Sequence, residues 1–340
     1  MNERRETVLQ VEDLAVSFET ERGTFTFLHE LSFDLAAGEI LCIVGESGSG
    51  KSIGQLALMH LLERNGQIES GRVLFKGQDL ARFTEREMDQ IRGSQIAMVF
   101  QDAMGSLNPV LTIESQVTEP MLLHLGMGRR EARQRALELF KRVGLSHPER
   151  VLRSYPHELS GGMQQRVMIA MALACKPSIL IADEPTTALD VTVQAQIMEL
   201  LRQLREETGM AIILITHDMG LVAEMADQVL VLYAGEPVEK SDVFSLFDEA
   251  AHPYTRLLLA AVPQVQGDKA QRLAQIQGSV PEHYEWIKGC RFFNRCPYAQ
   301  EQCRETQRLA PDAQRRSLVR CRRAQEGSLP EVWREEVQRT

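Results

Sequence analysis

The chain has 340 residues, more than one hydrophobic core of ~100–200 residues needs, so a main domain with an appended one is expected. Hydrophobic residues make up 44% and charged residues 25%, the balance of an ordinary globular protein, and a net charge of −9 argues against a general nucleic-acid binder. No apolar run approaches the ~18–20 residues of a membrane span, and Met1–Glu6 is not followed by the apolar stretch of a secretory signal, so the chain is expected in the cytoplasm, with any membrane role exercised through a partner.

Residues 8–18, ending in Phe18, and 25–35 read as strands around the turn-like Glu21-Arg22-Gly23. Ile40–Val44 is an apolar strand running into Gly45-Glu46-Ser47-Gly48-Ser49-Gly50-Lys51-Ser52. An apolar helix carrying Leu56, Leu58, Leu61 and Leu62 follows, stopped near Asn65-Gly66, and short strands are expected at 72–75 and 96–100. From about 103 to 165 the pattern is helical, with Ala132, Ala136, Leu137, Leu139, Phe140 and Val143 mostly on one face. Strands return at 179–182, 211–215 and 229–232, with a helix of about 191–207 between the first two. Strand alternating with helix predicts a largely parallel sheet covered by helices. Beyond 264 the composition becomes arginine-rich and cysteine-bearing, with the polar Gln264–Asp268 as a linker. The expected division is 1–264 and 265–340, with no internal repeat.

The pattern Gly45-x4-Gly50-Lys51-Ser52 between a strand and a helix is a phosphate loop. Glycines let the backbone aim successive N–H groups at phosphate oxygens, and the helix that follows adds its positive end. Lys51 is expected to reach the β- and γ-phosphates of ATP, and the Ser52 hydroxyl to ligate Mg²⁺. The strand at 179–182 ends in Asp183-Glu184-Pro185. Asp183 is expected to hold the Mg²⁺ shell and Glu184 to polarise the attacking water. His217 follows the strand at 211–215 and is placed to sense the γ-phosphate, while Gln101, after the strand ending at Phe100, is placed to contact Mg²⁺ or the lytic water.

Ser160-Gly161-Gly162-Met163-Gln164 opens another helix, a second N–H-rich anion site in a chain that already has one. This string resembles the signature motif of ATP-binding cassette (ABC) ATPases, in which two cassettes pair head to tail and the signature of one closes over the γ-phosphate held by the other. The remaining family motifs stand in order: Gln101 matches the Q-loop, Asp183-Glu184 the Walker B end, Ala188-Leu189-Asp190 the D-loop and His217 the switch histidine. Phe18 lies where the family places an aromatic on adenine. The resemblance covers about residues 8–265 and implies a RecA-like α/β core with an antiparallel β edge, a helical insertion near 103–165, and nucleotide contacts from Ser160, Gly161, Gly162, Gln164 and Asp190.

His252-Pro253-Tyr254-Thr255-Arg256, Ser106-Leu107-Asn108-Pro109 and 190–196 are similar to the ATPases of oligopeptide/dipeptide permeases, D-type subunit. That implies a peripheral subunit on the cytoplasmic face of the membrane, coupled to a second cassette (a paralogue) and two permease subunits, with an external binding protein delivering a peptide, nickel, glutathione or another small solute. An ABC ATPase of DNA repair or translation is the rival class. Its long coiled coils or fused second cassette have no counterpart here, and intact Glu184 and His217 argue against a non-hydrolysing cassette.

Cys42 and Cys175 stand in apolar stretches and read as small buried hydrophobes. Cys290, Cys296, Cys303 and Cys321 crowd into one segment, which in a reducing compartment points to metal rather than disulfides. Nine arginines against three carboxylates between 290 and 323 favour thiolates and an anionic cluster. The permease ATPases that carry such a set bind a 4Fe–4S cluster. Zinc is the main alternative, although its tight C-x2–4-C pairs are missing.

Overall fold

The structure is a computed structural model and describes residues 6–186, 189–262 and 276–330. Gln264–Asp268, the 264/265 boundary and Ala188 therefore lie outside the described residues. The chain forms two compact units that are not consecutive in sequence. One gathers Leu35–Ile40 and Phe75–Ile215 with the chain up to Leu9; the other gathers Gln10–Asp34, Leu41–Leu74 and the chain from Thr216 onward.

The first unit is built on three parallel strands, Ile96–Val99, Ile179–Asp183 and Ala211–Ile215, paired in that order. The last two are buried at every position, which explains why they read as unbroken apolar runs rather than alternating ones. The expected helical stretch is real. Helices Ile113–Leu125, Arg129–Arg142, Pro148–Arg153 and Gly161–Ala172 follow one another there. Ile113, Val117 and Met121 recur every fourth residue on the buried face of the first, and Ala132, Ala136, Leu139 and Phe140 on that of the second. Thr112 caps the first helix by accepting the Ser115 N–H at 3.4 Å, and Gly126 ends it at φ 61°. Helix Val191–Thr208 starts on Asp190 and stops on Gly209 at φ 68°.

The second unit contains the strands Thr7–Thr20, Gly23–Ala36 and Gly66–Phe75, with the first of these in the middle. Its other sheet has Ile40–Val44 parallel to Gln228–Tyr233, which turns back through Ala234-Gly235 into the antiparallel Glu236–Asp242. Ala234 and Gly235 both have positive φ, the geometry of a tight hairpin turn. Glycine is required at 235, where a Cβ would stand 1.9 Å from the Phe27 carbonyl oxygen. Leu318–Val319 and Ala310–Pro311 extend this antiparallel edge. The C-terminal segment thus joins a sheet begun at Ile40. Among the described residues no helix is long and apolar enough to cross a membrane.

Candidate nucleotide-binding site

The phosphate loop takes the shape its glycines permit. Gly45 is buried, and a Cβ there would meet the Leu232 carbonyl oxygen at 2.2 Å. Gly50 caps helix Lys51–Leu58 at φ 97°, with no side chain on the first N–H groups and no acid in the first turn. Ser47 and Gly48 form the exposed crest, and the Ser52 side chain is also exposed. Lys51 is 8% exposed, and its ammonium donates to the carbonyls of Gly45 at 2.8 Å and Glu46 at 3.0 Å. An uncapped helix end, a glycine-rich crest exposed at Ser47 and Gly48 and a cation folded over the loop fit an anionic phosphate chain.

Phe18 belongs to the same unit. Its ring meets Phe27 edge-on at 5.6 Å and lies against Gly66, so it is half-buried rather than a free platform. His217 is exposed; it follows Thr216, whose N–H donates to the Ile43 carbonyl at 3.3 Å, in the strand that feeds the loop. The next residue, Asp218, caps helix Met219–Met225.

The acidic pair lies in the other unit. Asp183 is the last residue of its strand and 8% exposed. Glu184 takes a left-handed backbone, φ 43°, with its N–H held by the Ile215 carbonyl at 2.9 Å. Its carboxylate accepts from Gln101 Nε2 at 3.0 Å, so the structure joins two residues 83 apart in sequence. Ser160 caps helix Gly161–Ala172 by accepting the Met163 N–H at 3.4 Å, while Gly161 faces open space and Gly162 meets Val193. Gln164 is 5% exposed and donates to the carbonyls of Pro156 at 2.8 Å and Leu159 at 3.3 Å, bracing the Ser160 turn from beneath. The Asp190 carboxylate accepts the N–H groups of Thr192 and Val193 at 3.1 and 3.0 Å.

Two residues that touch the phosphate loop were not anticipated. The Tyr254 hydroxyl accepts the Glu46 N–H at 2.9 Å, and Arg295 pairs with the Glu46 carboxylate at 3.0 Å. They stand 208 and 249 residues from Glu46, beyond the reach of any local pattern.

Cys290, Cys296, Cys303 and Cys321 are free thiols of intermediate exposure. Burial pushes Cys290 and Cys296 up to about 12 and raises Cys321, and the neighbouring cysteines add to each shift. The arginines do not simply bathe these sulfurs in positive charge. Arg291, Arg295 and Arg320 pair with Glu236, Glu46 and Glu30, and Arg322 with Glu326. Among the described residues no three His, Cys, Asp or Glu side chains converge closely enough to hold a single metal ion. Cys42 is fully buried and its thiol is pushed far above the usual range; Cys175 is 8% exposed.

Residues 28–187 match the family model described as ABC transporter. The chain is 48% identical over 297 residues to the dipeptide transport ATP-binding protein DppD of Escherichia coli, covering 87% of this chain and 90% of that one. This chain belongs to the ABC transporter family. Residues 238–303 match a second model, the C-terminal region of oligopeptide/dipeptide transporters. The oligopeptide transport ATP-binding protein AppD of Bacillus subtilis is 48% identical over 298 residues, covering 87% of this chain and 90% of its own. The fold is similar to the dimeric structure of MJ0796, a bacterial ABC transporter cassette, at TM-score 0.63 and 32% identity, over 69% of this chain and 98% of that one. A post-hydrolysis state of MJ0796 bound to ADP and Pi matches at TM-score 0.63 and 31% identity, with the same coverage. The cassette is thus the RecA-like α/β type with an antiparallel edge and a helical region.

Proposed function

We propose that this cassette binds and hydrolyses MgATP to drive an importer of peptides or a related small solute. The match of residues 238–303 to the oligopeptide/dipeptide C-terminal region carries this reading, because it picks a transport branch out of the family. The long identity to DppD and AppD supports it.

The site residues take their roles from the chemistry each can perform. Gly45–Ser52 cradle the phosphates, with Lys51 swinging from its two carbonyls to the β- and γ-phosphates. Phe18 offers the exposed part of its ring to adenine. Ser52, Asp183 and Gln101 are the residues that would hold Mg²⁺, which would neutralise charge on the phosphate oxygens. Glu184 takes or orients the proton of the attacking water, and the Gln101 bond fixes its carboxylate for that task. His217 donates a ring N–H to the γ-phosphate. Ser160, Gly161 and Gly162 serve the nucleotide of a facing cassette, with Gln164 acting through the turn it braces and Asp190 from the helix start it caps.

The partners are a second cassette, a paralogue, and two permease subunits, with a binding protein upstream. The chain then sits on the cytoplasmic face of the membrane. Val110 is 76% and Leu123 72% exposed in the helical region, and such open apolar residues suit a docked permease segment. The four thiols hold a 4Fe–4S cluster, or zinc in the alternative. The crowding of the four cysteines into one sequence segment supports a shared ligand, since four thiolates can ligate a cubane. In this organisation 1–264 form the cassette, with its helical insertion near 103–165, and 265–340 a C-terminal extension with the four-cysteine cluster. Co-expression with the two permease genes and the partner cassette tests the assignment: ATP turnover that rises with peptide-loaded binding protein supports it, and a chain that never co-purifies with membrane subunits refutes it.

A further inference from the structure

The segment between the first two cysteines makes contacts that neither the thiols nor the nucleotide chemistry requires. Phe292 is 1% exposed, with its ring 5.1 Å from Tyr233 and 5.4 Å from Tyr254. Tyr233 and Tyr254 lie 4.7 Å apart, and the Tyr254 hydroxyl holds the Glu46 N–H. Arg295 lies over this aromatic group, 5.7 Å from the Tyr233 ring centre and 5.9 Å from that of Phe292. It donates to both Glu46 carboxylate oxygens, at 3.0 and 3.2 Å, and to the Tyr233 hydroxyl at 3.2 Å. Its side chain is 7% exposed and that of Glu46 26%, so the pair is largely withdrawn from water. Arg291 reaches the loop by a longer route. It donates to the Ala234 carbonyl, and the next residue, Gly235, donates its N–H to the Ser49 carbonyl at 2.9 Å.

A glycine-rich loop has many backbone forms open to it and binds tightly only when contacts from outside hold one of them. An ion pair withdrawn from water is stronger than a surface pair, and losing one member leaves the other uncompensated. We propose that Arg295, with Arg291 behind it, is a positioning residue for the phosphate loop, so that the segment between Cys290 and Cys296 sets how tightly the cassette holds nucleotide. This rests on Gly45–Ser52 being the ATP site.

The test titrates the full-length chain with a fluorescent ATP analogue in the presence of Mg²⁺ and records thermal melts without nucleotide. Arg295→Ala and Glu46→Ala are each expected to weaken binding about tenfold. The double variant is expected to be no weaker than either single one, because both remove the same pair. Arg295→Lys, which keeps the charge, is expected to recover most of the affinity. Wild-type affinity in Arg295→Ala, or single effects that multiply in the double variant, would overturn the proposal, as would a lowered melting temperature with unchanged affinity of the folded protein. Should Arg295→Ala fail to fold, Glu46→Ala and Arg295→Lys decide the matter by the same criteria. Lys51→Ala separates the two layers: unchanged binding in that variant would remove the ATP site itself, whereas lost binding there beside normal binding in Arg295→Ala removes only the brace.

Discussion

Glu184 occupies a left-handed backbone, a form that costs a non-glycine residue about 1–2 kcal/mol. It is held there by the Ile215 carbonyl, with the carboxylate turned to Gln101. Removing the Gln101 amide takes one hydrogen bond from that carboxylate, so Gln101→Ala is expected to lower kcat by about tenfold or more with little change in nucleotide affinity; steady-state kinetics beside a binding titration measures the split. Gly45→Ala is expected to lose nucleotide binding and to destabilise the fold by about 1–3 kcal/mol, since its Cβ has a carbonyl oxygen 2.2 Å away; a melt and a titration check both effects. The loop glycines could be read in the sequence because their requirement is local, a backbone form and a close approach. Tyr254 and Arg295 could not, because side chains from distant segments carry no pattern that points to Glu46.

At the scale of elements, the buried parallel strands were legible as apolar runs, and Ala211–Ile215 begins and ends where its pattern predicts. The helix after Lys51 was overextended. It ends at Leu58, and His60 at φ 51° turns the chain while Leu61 stays exposed. Strand Glu236–Asp242 was missed because Glu-Pro-Val-Glu-Lys-Ser-Asp looks like a loop. Its Glu239 is 1% exposed and accepts the N–H groups of Ala251 and His252 at 2.7 and 2.8 Å, which offsets the burial of a carboxyl. His252 starts helix Pro253–Ala260 by accepting the Tyr254 N–H on Nδ1 at 3.1 Å. Burial, then Arg256 and Arg320, hold its pKa down to about 3 from 6.5. The unfolded chain therefore binds this proton first, and the stability His252 contributes is present above about pH 6.5 and lost as pH falls toward 3. Glu239, raised by burial, acts in the opposite sense from its ordinary 4.5 upward. His252→Asn keeps a cap without the titration, so its melting temperature is expected to fall less than wild type between pH 6.5 and 5.

On the scale of the whole molecule, composition suggested a cassette followed by a separate tail. The described chain forms two compact units whose segments alternate along the sequence, and the cysteine segment belongs to the one that holds the phosphate loop. Composition cannot show this, because a strand added at a sheet edge, as Leu318–Val319 is, looks the same in sequence wherever it docks. On the proposed pairing with a second cassette, the chain alone is expected to hydrolyse ATP slowly, and a bulky residue at Ser160 is expected to silence the facing site in the assembled transporter. Anaerobic purification is expected to give a brown protein absorbing near ~400 nm, with iron and sulfide by analysis; a colourless, zinc-loaded sample would select zinc. The most direct test of the central proposal, that Glu184 acts on the water that attacks ATP, is ATP turnover and nucleotide occupancy of Glu184→Gln in the assembled transporter. A fall of about 10²-fold or more with ATP retained in a closed dimer is the predicted result, and near-normal turnover would contradict it.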